Sequence, residues 1–417
     1  MTSKECFVYI TLPNATTPIT AGRYVLETDR VGNPLGRFVY GRSYLANPNA
    51  VSIDPNELKL SETTYQTVLL GGLFGAMRDA GPDHWGRRVI DKHAGRAVSS
   101  ELDYLLESPD DRAGALSFGL NQAPPAPLRQ FNKTLDLAKL QATADALINE
   151  QADEHDPVVS QIQDLMLIGT AMGGARPKAV VEDDEGLWLA KFNRTDDTWN
   201  NARVEHAMLK LGKLCGLDVA DSKLVTIADK DVLLVKRFDR EKVADGYTRA
   251  RMISALTLLR ASESYQERDR WSYIILAEEL RRVVSDPKRD ALELFKRMVF
   301  NALISNIDDH PRNHASIAKS TDWKLSPAYD LTPSQIIAKD RRDLALDCGD
   351  LGRYANAKNL HSQHARFLLK ADQAQAAIDM MTTVVETQWY SVCRACGVTE
   401  VDAAKITGAF VYDGFKY

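Results

Sequence analysis

Residues 305–317, SNIDDHPRNHASI, concentrate carboxylate, imidazole and amide side chains in one short segment. Asp308 and Asn313 are five residues apart, and His310 lies between them. Phosphoryl transfer needs a carboxylate that accepts the proton of an attacking hydroxyl, and an amide oxygen nearby that holds magnesium. Protein kinases place these two groups five residues apart in one loop. The spacing therefore predicts Asp308 as a catalytic base and Asn313 as a metal ligand.

A second carboxylate for the metal is expected after a short strand and a turn. HASIAKS, residues 314–320, has the pattern of a strand, and a turn at Thr321 and Asp322 leads to SPAYDLTPS, which contains Asp330. Leu-Thr follows Asp330, where kinases usually have Phe-Gly. An Asp-rich loop is more often a solvated surface than a site. The prediction therefore depends on the order and spacing of both segments together.

Lys191 is predicted to contact the phosphates of a nucleotide. It lies in LWLAKFNR, a run with the character of a buried strand. A buried ammonium is costly without a partner, and Glu205 on the following helix is the candidate. The alternative is an edge strand on which Lys191 points to solvent.

The segment GTAMGGARPK, residues 169–178, predicts a glycine-rich loop that covers phosphates. It is not a Walker A motif, because no Ser or Thr follows Lys178. Gly173 and Gly174 permit close backbone approach to a phosphate, and Arg176 and Lys178 add positive charge. A plain β-turn remains the alternative.

The elements that must position these residues change character along the chain. ECFVYITL and GRFVYGRSYL alternate apolar and polar residues and predict a β-rich unit in residues 1–60. Residues 67–93 have a helical pattern, in which Gly81-Pro82-Asp83 breaks one helix and caps the next. Strands with one embedded helix follow in 165–240, and helices dominate from 251 onward.

We therefore predict an α+β, two-lobed protein-kinase-like fold. Its parts are a β-rich N-terminal subdomain, a nucleotide-binding lobe and a helical catalytic lobe, with the ranges 1–121, 122–240 and 241–417. QAPPAPLRQ, residues 122–130, is the predicted linker after the first part, because it concentrates proline without periodicity.

Composition excludes several classes of function. A chain of 417 residues exceeds one ordinary core, so two or three subdomains are expected. The net charge of −5 gives no overall basic field for nucleic acid. No apolar run is long enough to span a bilayer, and five cysteines indicate reduced thiols in the cytoplasm. The single CxxC, Cys393 to Cys396, is expected to pack within a helix rather than bind zinc.

Several motifs, in order, resemble the HipA family of bacterial toxin kinases: GGARPK, LAKF, VKRFDR, NIDDHPRNH and YDLTPS. LFGAMRDAGPDHWGRRVI and DRAGALSFG are similar to the N-terminal subdomain of that family. The resemblance implies a Ser/Thr protein kinase that uses ATP and Mg²⁺. It also implies a HipB-like helix-turn-helix antitoxin that binds operator DNA, and a protein substrate such as a tRNA synthetase or translation factor.

The resemblance assigns roles residue by residue. Asp308 would be the base with His310 beside it, and Asn313 and Asp330 would hold the metal. It places Lys236, Arg237 and Phe238 at the adenine and Asp239 near the ribose. The other residues that it assigns to the nucleotide site are Gly173, Gly174, Ala175, Arg176, Pro177, Lys178, Lys191, Glu205 and Tyr329.

The chain departs from the family pattern at two places. Family members often carry an autophosphorylated serine in the glycine-rich loop, where this chain has Ala171 with Thr170 beside it. Either Thr170 takes that role, or the phosphosite is absent, or a serine has been replaced. Lys236 stands where relatives can have a carboxylate, which leaves the nucleotide preference open.

Three other functions compete with this interpretation. The Asp309-His310 dyad, with His314 four residues beyond His310, would suit a metal-dependent hydrolase, but Pro311 argues against the helix that it needs. A small-molecule kinase of the aminoglycoside-phosphotransferase type shares the loop but lacks the N-terminal 150 residues. A silent co-repressor that scaffolds an antitoxin on DNA predicts the loss of a catalytic residue, and none is lost.

Overall fold

The computed structural model describes residues 4–93, 98, 100–127, 131–134, 137–148, 176–194, 196–227, 229–264, 266, 268–334 and 338–416. The chain forms two compact units. The first unit comprises Met1–Arg194, Lys236–Ile253 and Ile317–Trp323, and the second unit comprises Thr195–Val235, Ser254–Ser316 and Lys324–Tyr417. The predicted boundaries after residues 121 and 240 stay predictions.

The first unit begins with a five-stranded antiparallel sheet. Its strands, in spatial order, are Tyr65–Thr67, Pro34–Tyr40, Pro18–Thr28, Glu5–Thr11 and Leu116–Gly119. Val8, Ile10, Tyr24 and Phe38 lie in the core, but Tyr9 and Thr11 are buried as well, so the first strand is not exposed at alternate residues as the sequence pattern predicts. The sheet confirms the β-rich character expected of residues 1–60.

One segment of that region was predicted as strand and is helical. The strand ends at Tyr40, and Arg42–Leu45 forms one helical turn. The rings of Tyr40 and Tyr44 stack with centroids 5.6 Å apart, and the Tyr44 hydroxyl donates to the carbonyl of Val51 at 2.7 Å. These tertiary contacts outweigh the strand preference of the tyrosines, so the expectation for GRSYL was wrong.

Beyond the turn Arg42–Leu45, the helices described for the first unit lie on both sides of the strand Leu116–Gly119 in sequence. They are Gly75–Asp79, His84–His93, Glu101–Glu107 and Leu137–Ile148. The Asp83 carboxylate accepts from the backbone N–H of Gly86 at 2.6 Å, which confirms the predicted N-cap.

A second group of strands completes the first unit. Asn132–Lys133 pairs in parallel with Lys178–Asp183, which pairs antiparallel with Gly186–Phe192. The hairpin Arg240–Val243 and Gly246–Arg249 follows later in the chain. Val180, Leu187 and Leu189 form a core cluster against which Phe131 and Tyr247 pack. Lys191 therefore lies on a strand, as the sequence predicts.

Helices dominate the second unit. They are Asn201–Leu214, Ala255–Leu258, Tyr273–Val283, Pro287–Leu303, Ala357–Ser362, Ala371–Ala395 and Glu400–Ile406. Ser222–Ile227 pairs antiparallel with the strand that begins at Lys230, and Lys324–Leu325 is a short strand. Arg251–Ser254 and Ala315–Ala318 each have residues in both units.

Caps and an apolar core account for the longest helices of the second unit. Asp286 accepts from the N–H of Arg289 at 3.1 Å, and Pro287 occupies the first turn, where its missing N–H costs nothing. The core of this unit includes Met208, Leu294, Phe295, Met298, Ile378 and Met381, all nearly inaccessible to solvent. Among the described residues, no helix is long and apolar enough to cross a membrane.

Candidate active site

The loop after the helix Pro287–Leu303 separates the two adjacent aspartates. Ser305 has φ of +53°, and its hydroxyl donates to the carbonyl of Ala409 at 2.6 Å, so the chain leaves the helix in a fixed direction. Asp308 is exposed, whereas Asp309 is only 1% exposed. The loop thus presents one carboxylate to solvent and buries the next.

Asn313 is held by the backbone of the same loop. Its Nδ2 donates to the carbonyl of Asp308 at 3.2 Å, and its backbone N–H donates to the carbonyl of His310 at 2.9 Å. His310 Nδ1 accepts from the N–H of Arg312 at 3.2 Å and thereby caps the 3-10 turn Pro311–Asn313. His310 therefore orients the loop, while Asp308 and Asn313 are joined by a direct hydrogen bond.

Asp330 is bound to this loop by its backbone and by its neighbour. The carbonyl of Asp330 accepts from Asn306 Nδ2 at 3.4 Å, and the Tyr329 hydroxyl donates to the carbonyl of Arg312 at 2.7 Å. Asp330 has φ of +59°, a left-handed conformation that is uncommon for a non-glycine residue and frequent at functional sites. The second unit therefore holds the segment of Asp330 against the loop of Asp308 and Asn313.

The donor atoms of this loop suit a hard divalent cation. Asn313 Nδ2 donates to the carbonyl of Asp308. The other polar atom of this side chain, Oδ1, is an amide oxygen, which is the atom type that can ligate a metal ion. A carboxylate and an amide oxygen are ligands that Mg²⁺ accepts, with water and phosphate oxygens completing its shell. Asn313 and Asp330 thus fit the metal that the sequence predicts.

Lys178 and Lys191 occupy directly opposite positions on neighbouring strands. Two like charges in such a pair repel each other unless one is compensated. Lys178 is 1% exposed, and its ammonium lies 2.5 Å from the Asp83 carboxylate, which is equally buried. Asp83 neutralises Lys178, whereas Lys191 is half-buried on the same strand pair. The predicted phosphate contact of Lys191 stays a prediction, as does that of Lys178.

The segment from Lys236 to Asp239 alternates between two environments. Lys236 and Phe238 are half-buried, and the Lys236 ammonium lies 5.6 Å from the centroid of the Trp188 ring. Arg237 and Asp239 are almost fully buried within the first unit. The adenine contacts predicted for 236–238 stay predictions.

Arg237 and Asp239 belong to a buried charged cluster, which we define as Asp111, Arg237, Asp239 and Arg240. Asp239 Oδ2 accepts from Arg237 at 2.9 Å, from Arg240 at 2.7 Å and from the N–H of Gly114 at 2.9 Å. Arg237 also donates to Asp111. Two guanidinium groups face two carboxylates, so the charged cluster has no net charge.

The ionisation of the charged cluster reflects this pairing. Burial alone raises the pKa of the Asp239 carboxyl, but Arg237 and Arg240 reverse that effect and hold the pKa well below its usual range. Burial lowers the pKa of Arg240 to about 9. Asp239 is thus ionised and accepts hydrogen bonds from donors within the protein. A position near a ribose stays a prediction.

The remaining predicted nucleotide residues are only partly described. Thr170, Ala171, Gly173, Gly174 and Ala175 lie outside the described residues. Arg176 is half-buried, and the carbonyl of Pro177 accepts from the N–H of Phe192 at 3.1 Å. Glu205 is buried on the helix Asn201–Leu214 of the second unit, and its pairing with Lys191 stays a prediction.

The hydrolase alternative depended on Asp309 and His310 acting together. Asp309 accepts from the Tyr273 hydroxyl in the interior, whereas the Nδ1 atom of His310 accepts from the loop backbone. Within the described ranges, no three His, Cys, Asp or Glu side chains converge on a common point. Asp309 and His310 thus have separate partners.

Sequence reasoning missed the partners that hold the site residues in place. The sequence predicts Asp83 only as a helix cap and predicts no partner for Asp111, the first residue of DRAGALSFG, although the two pair with Lys178 and Arg237. Tyr273 lies in the helix Tyr273–Val283, a segment for which the sequence predicts helical structure but no functional residue. The sequence does place charged residues within apolar segments, which indicates that they need partners when buried. It does not show which residues those partners are.

The second half of the chain matches a family model. The model described as HipA-like C-terminal domain matches residues 170–389, which is more than half of the 417 residues. This range contains Lys191, Asp308, Asn313 and Asp330.

Two curated proteins are similar in sequence. "Putative kinase Y4mE" of Sinorhizobium fredii is 29% identical over 318 residues, which cover 70% of this chain and 71% of that protein. A protein of Haemophilus influenzae described as "Putative kinase" is 24% identical over 221 residues, which cover 48% of this chain and 64% of that protein.

A solved structure has a similar fold. It is HipA of Shewanella oneidensis, in a complex with HipB and operator DNA, with a TM-score of 0.68 and 14% sequence identity. The match covers 96% of this chain and 94% of that one. The chain therefore has the mixed α/β fold expected of a two-lobed kinase-like protein.

Proposed function

The chain belongs to the HipA family, and we propose that it is a kinase that transfers the γ-phosphate of ATP to a serine or threonine hydroxyl of a protein. The observation that carries the proposal is the arrangement of the loop in the second unit. An exposed carboxylate, Asp308, is bonded through its own carbonyl to the amide of Asn313. Kinase chemistry requires these two groups side by side.

Asp308 supplies the base in this proposal. Its exposed carboxylate accepts the proton of the attacking hydroxyl as the new O–P bond forms and the bond between the γ-phosphorus and the bridging oxygen of ADP breaks. Asn313 and Asp330 would hold magnesium, which supplies positive charge against the phosphate oxygens when it is bound. Lys191, the glycine-rich loop and the segment 236–239 would position the nucleotide.

We also propose the partners that the resemblance implies. A HipB-like helix-turn-helix antitoxin would bind this chain and carry it to operator DNA, as in the Shewanella complex. The net charge of −5 agrees with an indirect contact to DNA. The proposed substrate is a translation component such as a tRNA synthetase, and the proposed location is the cytoplasm.

The test is phosphate transfer from γ-labelled ATP to protein in a cell extract, with Mg²⁺ or with a chelator. We expect Mg²⁺-dependent label on serine or threonine and its loss in Asp330→Asn. Label on small molecules alone would favour a small-molecule kinase. ATP binding without transfer to any acceptor would favour a silent co-repressor.

The same experiment locates any label on the chain itself. Label at Thr170 would mean that this threonine takes the place of the family's serine. The comparison variant is Thr170→Ala, which would remove that label and leave transfer to other proteins intact.

A further inference from the structure

A continuous set of buried polar side chains lies beneath the candidate catalytic loop. All of its members are in the second unit, and each is at most 3% exposed. We call this set the buried chain; its members are Tyr273, Asn301, Asn306, Asp309 and His314.

The contacts run through the buried chain in one order. His314 Nε2 lies 2.9 Å from Asp309 Oδ1, and the Tyr273 hydroxyl donates to the other oxygen of Asp309. Asn301 Nδ2 donates to the Tyr273 hydroxyl at 3.0 Å, and Asn306 Nδ2 donates to Asn301 Oδ1 at 3.1 Å. The rings of Tyr273 and His314 also meet edge to face, with centroids 5.4 Å apart.

The two ends of the buried chain adjoin the two proposed metal ligands. His314 directly follows Asn313 in sequence. At the other end, Asn306 Nδ2 also donates to the carbonyl of Asp330 at 3.4 Å. The middle member Asp309 directly follows the proposed base Asp308.

Burial gives these contacts a role beyond filling space. A buried amide or phenol without a partner costs about 1–3 kcal/mol, so the hydrogen bonds of Tyr273, Asn301 and Asn306 hold these side chains in one arrangement. Its members come from two helices and from the loop, which ties the loop to rigid elements. Groups that orient metal ligands commonly change metal affinity by about 10- to 100-fold when they are removed.

We propose that the buried chain positions Asn313 and Asp330 relative to each other and so sets the affinity for magnesium and nucleotide. Its members are positioning residues and do not touch the reacting atoms. This inference rests on the proposed function, because it assumes that Asn313 and Asp330 bind the metal. It adds residues to which neither the kinase motifs nor the resemblance gives a role.

The test measures the affinity for ATP by calorimetry, with and without Mg²⁺, in wild type and Asn306→Asp. This substitution keeps the shape of the side chain and removes both hydrogen-bond donations. We expect the Mg²⁺-dependent gain in ATP affinity to fall by about tenfold. We also expect the Mg²⁺ concentration for half-maximal phosphate transfer to rise.

Asn359→Asp is the matched control. Asn359 is as buried as Asn306, lies in the same unit, and donates through Nδ2 to the carbonyls of Gly352 and Tyr354 at 2.9 and 2.8 Å. Its substitution should lower stability and leave the Mg²⁺ dependence unchanged. Tyr273→Phe is a milder second variant, because it keeps the ring and removes only the hydroxyl.

Each result bears on the proposal. If Asn306→Asp and Tyr273→Phe lose stability but bind Mg²⁺ and ATP like wild type, the buried chain is merely structural and the inference is wrong. If wild type binds Mg²⁺ and ATP but transfers no phosphate, the proposed kinase fails while the binding data still decide the inference. If wild type shows no Mg²⁺-dependent binding, both fail.

Discussion

The charged cluster of the first unit and the buried chain of the second unit differ in how their buried polar groups are paired. Both bury several polar groups and both hold a segment that is predicted to face a ligand. In the charged cluster, two carboxylates neutralise two guanidinium groups. In the buried chain, a phenol and an imidazole contact the single carboxylate of Asp309, and two amides extend the set from the phenol.

The difference predicts different consequences of mutation. An ion left without its partner in the interior costs about 3–5 kcal/mol, whereas a lost neutral hydrogen bond costs about 1 kcal/mol. The charged cluster should therefore govern stability. The buried chain should govern geometry at the site, with a smaller effect on stability.

The largest effect on stability is expected from Asp239→Asn. Arg237 and Arg240 would then share Asp111, which leaves an uncompensated buried charge, and the free energy of unfolding should fall by about 4 kcal/mol. Urea denaturation measures this change. Lys319→Ala is the control, because its ion pair with Glu241 is exposed and should contribute less than about 1 kcal/mol. Equal losses in both variants would contradict the charged cluster's role.

Asp83→Asn is expected to have the next largest effect. Asparagine can still cap the helix that begins at His84, but Lys178 loses its buried counter-ion, so the free energy of unfolding should fall by about 3 kcal/mol. Replacing Lys178 by methionine in the same protein should recover most of the loss. A double-mutant cycle by urea denaturation checks this, and strictly additive losses would rule out the pair.

The pH dependence of stability provides a third comparison. The pKa of Asp239 is depressed in the folded protein, so its contribution to the free energy of unfolding is complete above the pKa of about 4 that an aspartate has in the unfolded chain. That contribution is lost as the pH falls below this value. Wild type should therefore lose stability below about pH 4, and the difference in free energy of unfolding between wild type and Asp239→Asn should become smaller there. Urea midpoints across the acid range test this. A constant gap would mean that Asp239 does not titrate abnormally.

The smallest expected effect belongs to Tyr273→Phe. Removal of one hydroxyl from the buried chain should lower the free energy of unfolding by about 1–2 kcal/mol, because it leaves Asn301 and Asp309 each short of one partner. Thermal and urea denaturation measure it. A loss as large as that of Asp239→Asn would remove the distinction between the two regions.

Local patterns were enough to predict many elements but not their pairing. Lys191 on a strand, the Asp83 cap and the proximity of Asp308 and Asn313 all depend on residues close in sequence. Short-range patterns specify such features directly. The order of the motifs also predicted the family correctly.

Long-range pairs could not be predicted in this way. Asp83 and Lys178 are 95 residues apart, and Asp111 and Arg237 are 126 apart. Composition shows that a buried charge needs a partner, but only the fold selects which one. Asp309 is an example: the sequence permits a metal site formed with His310, whereas in the structure Asp309 is buried and accepts from the Tyr273 hydroxyl.

The proposed role of Asp308 as the base of a phosphotransferase can be tested by removing its carboxylate. Transfer from γ-labelled ATP is compared in wild type, Asp308→Ala and the control Asp322→Ala, with ATP affinity measured on the same samples. Because Asp308 is exposed, its removal should leave folding and ATP binding nearly intact and lower transfer by about 10²- to 10⁴-fold. Unchanged transfer in Asp308→Ala would show that Asp308 is not the base.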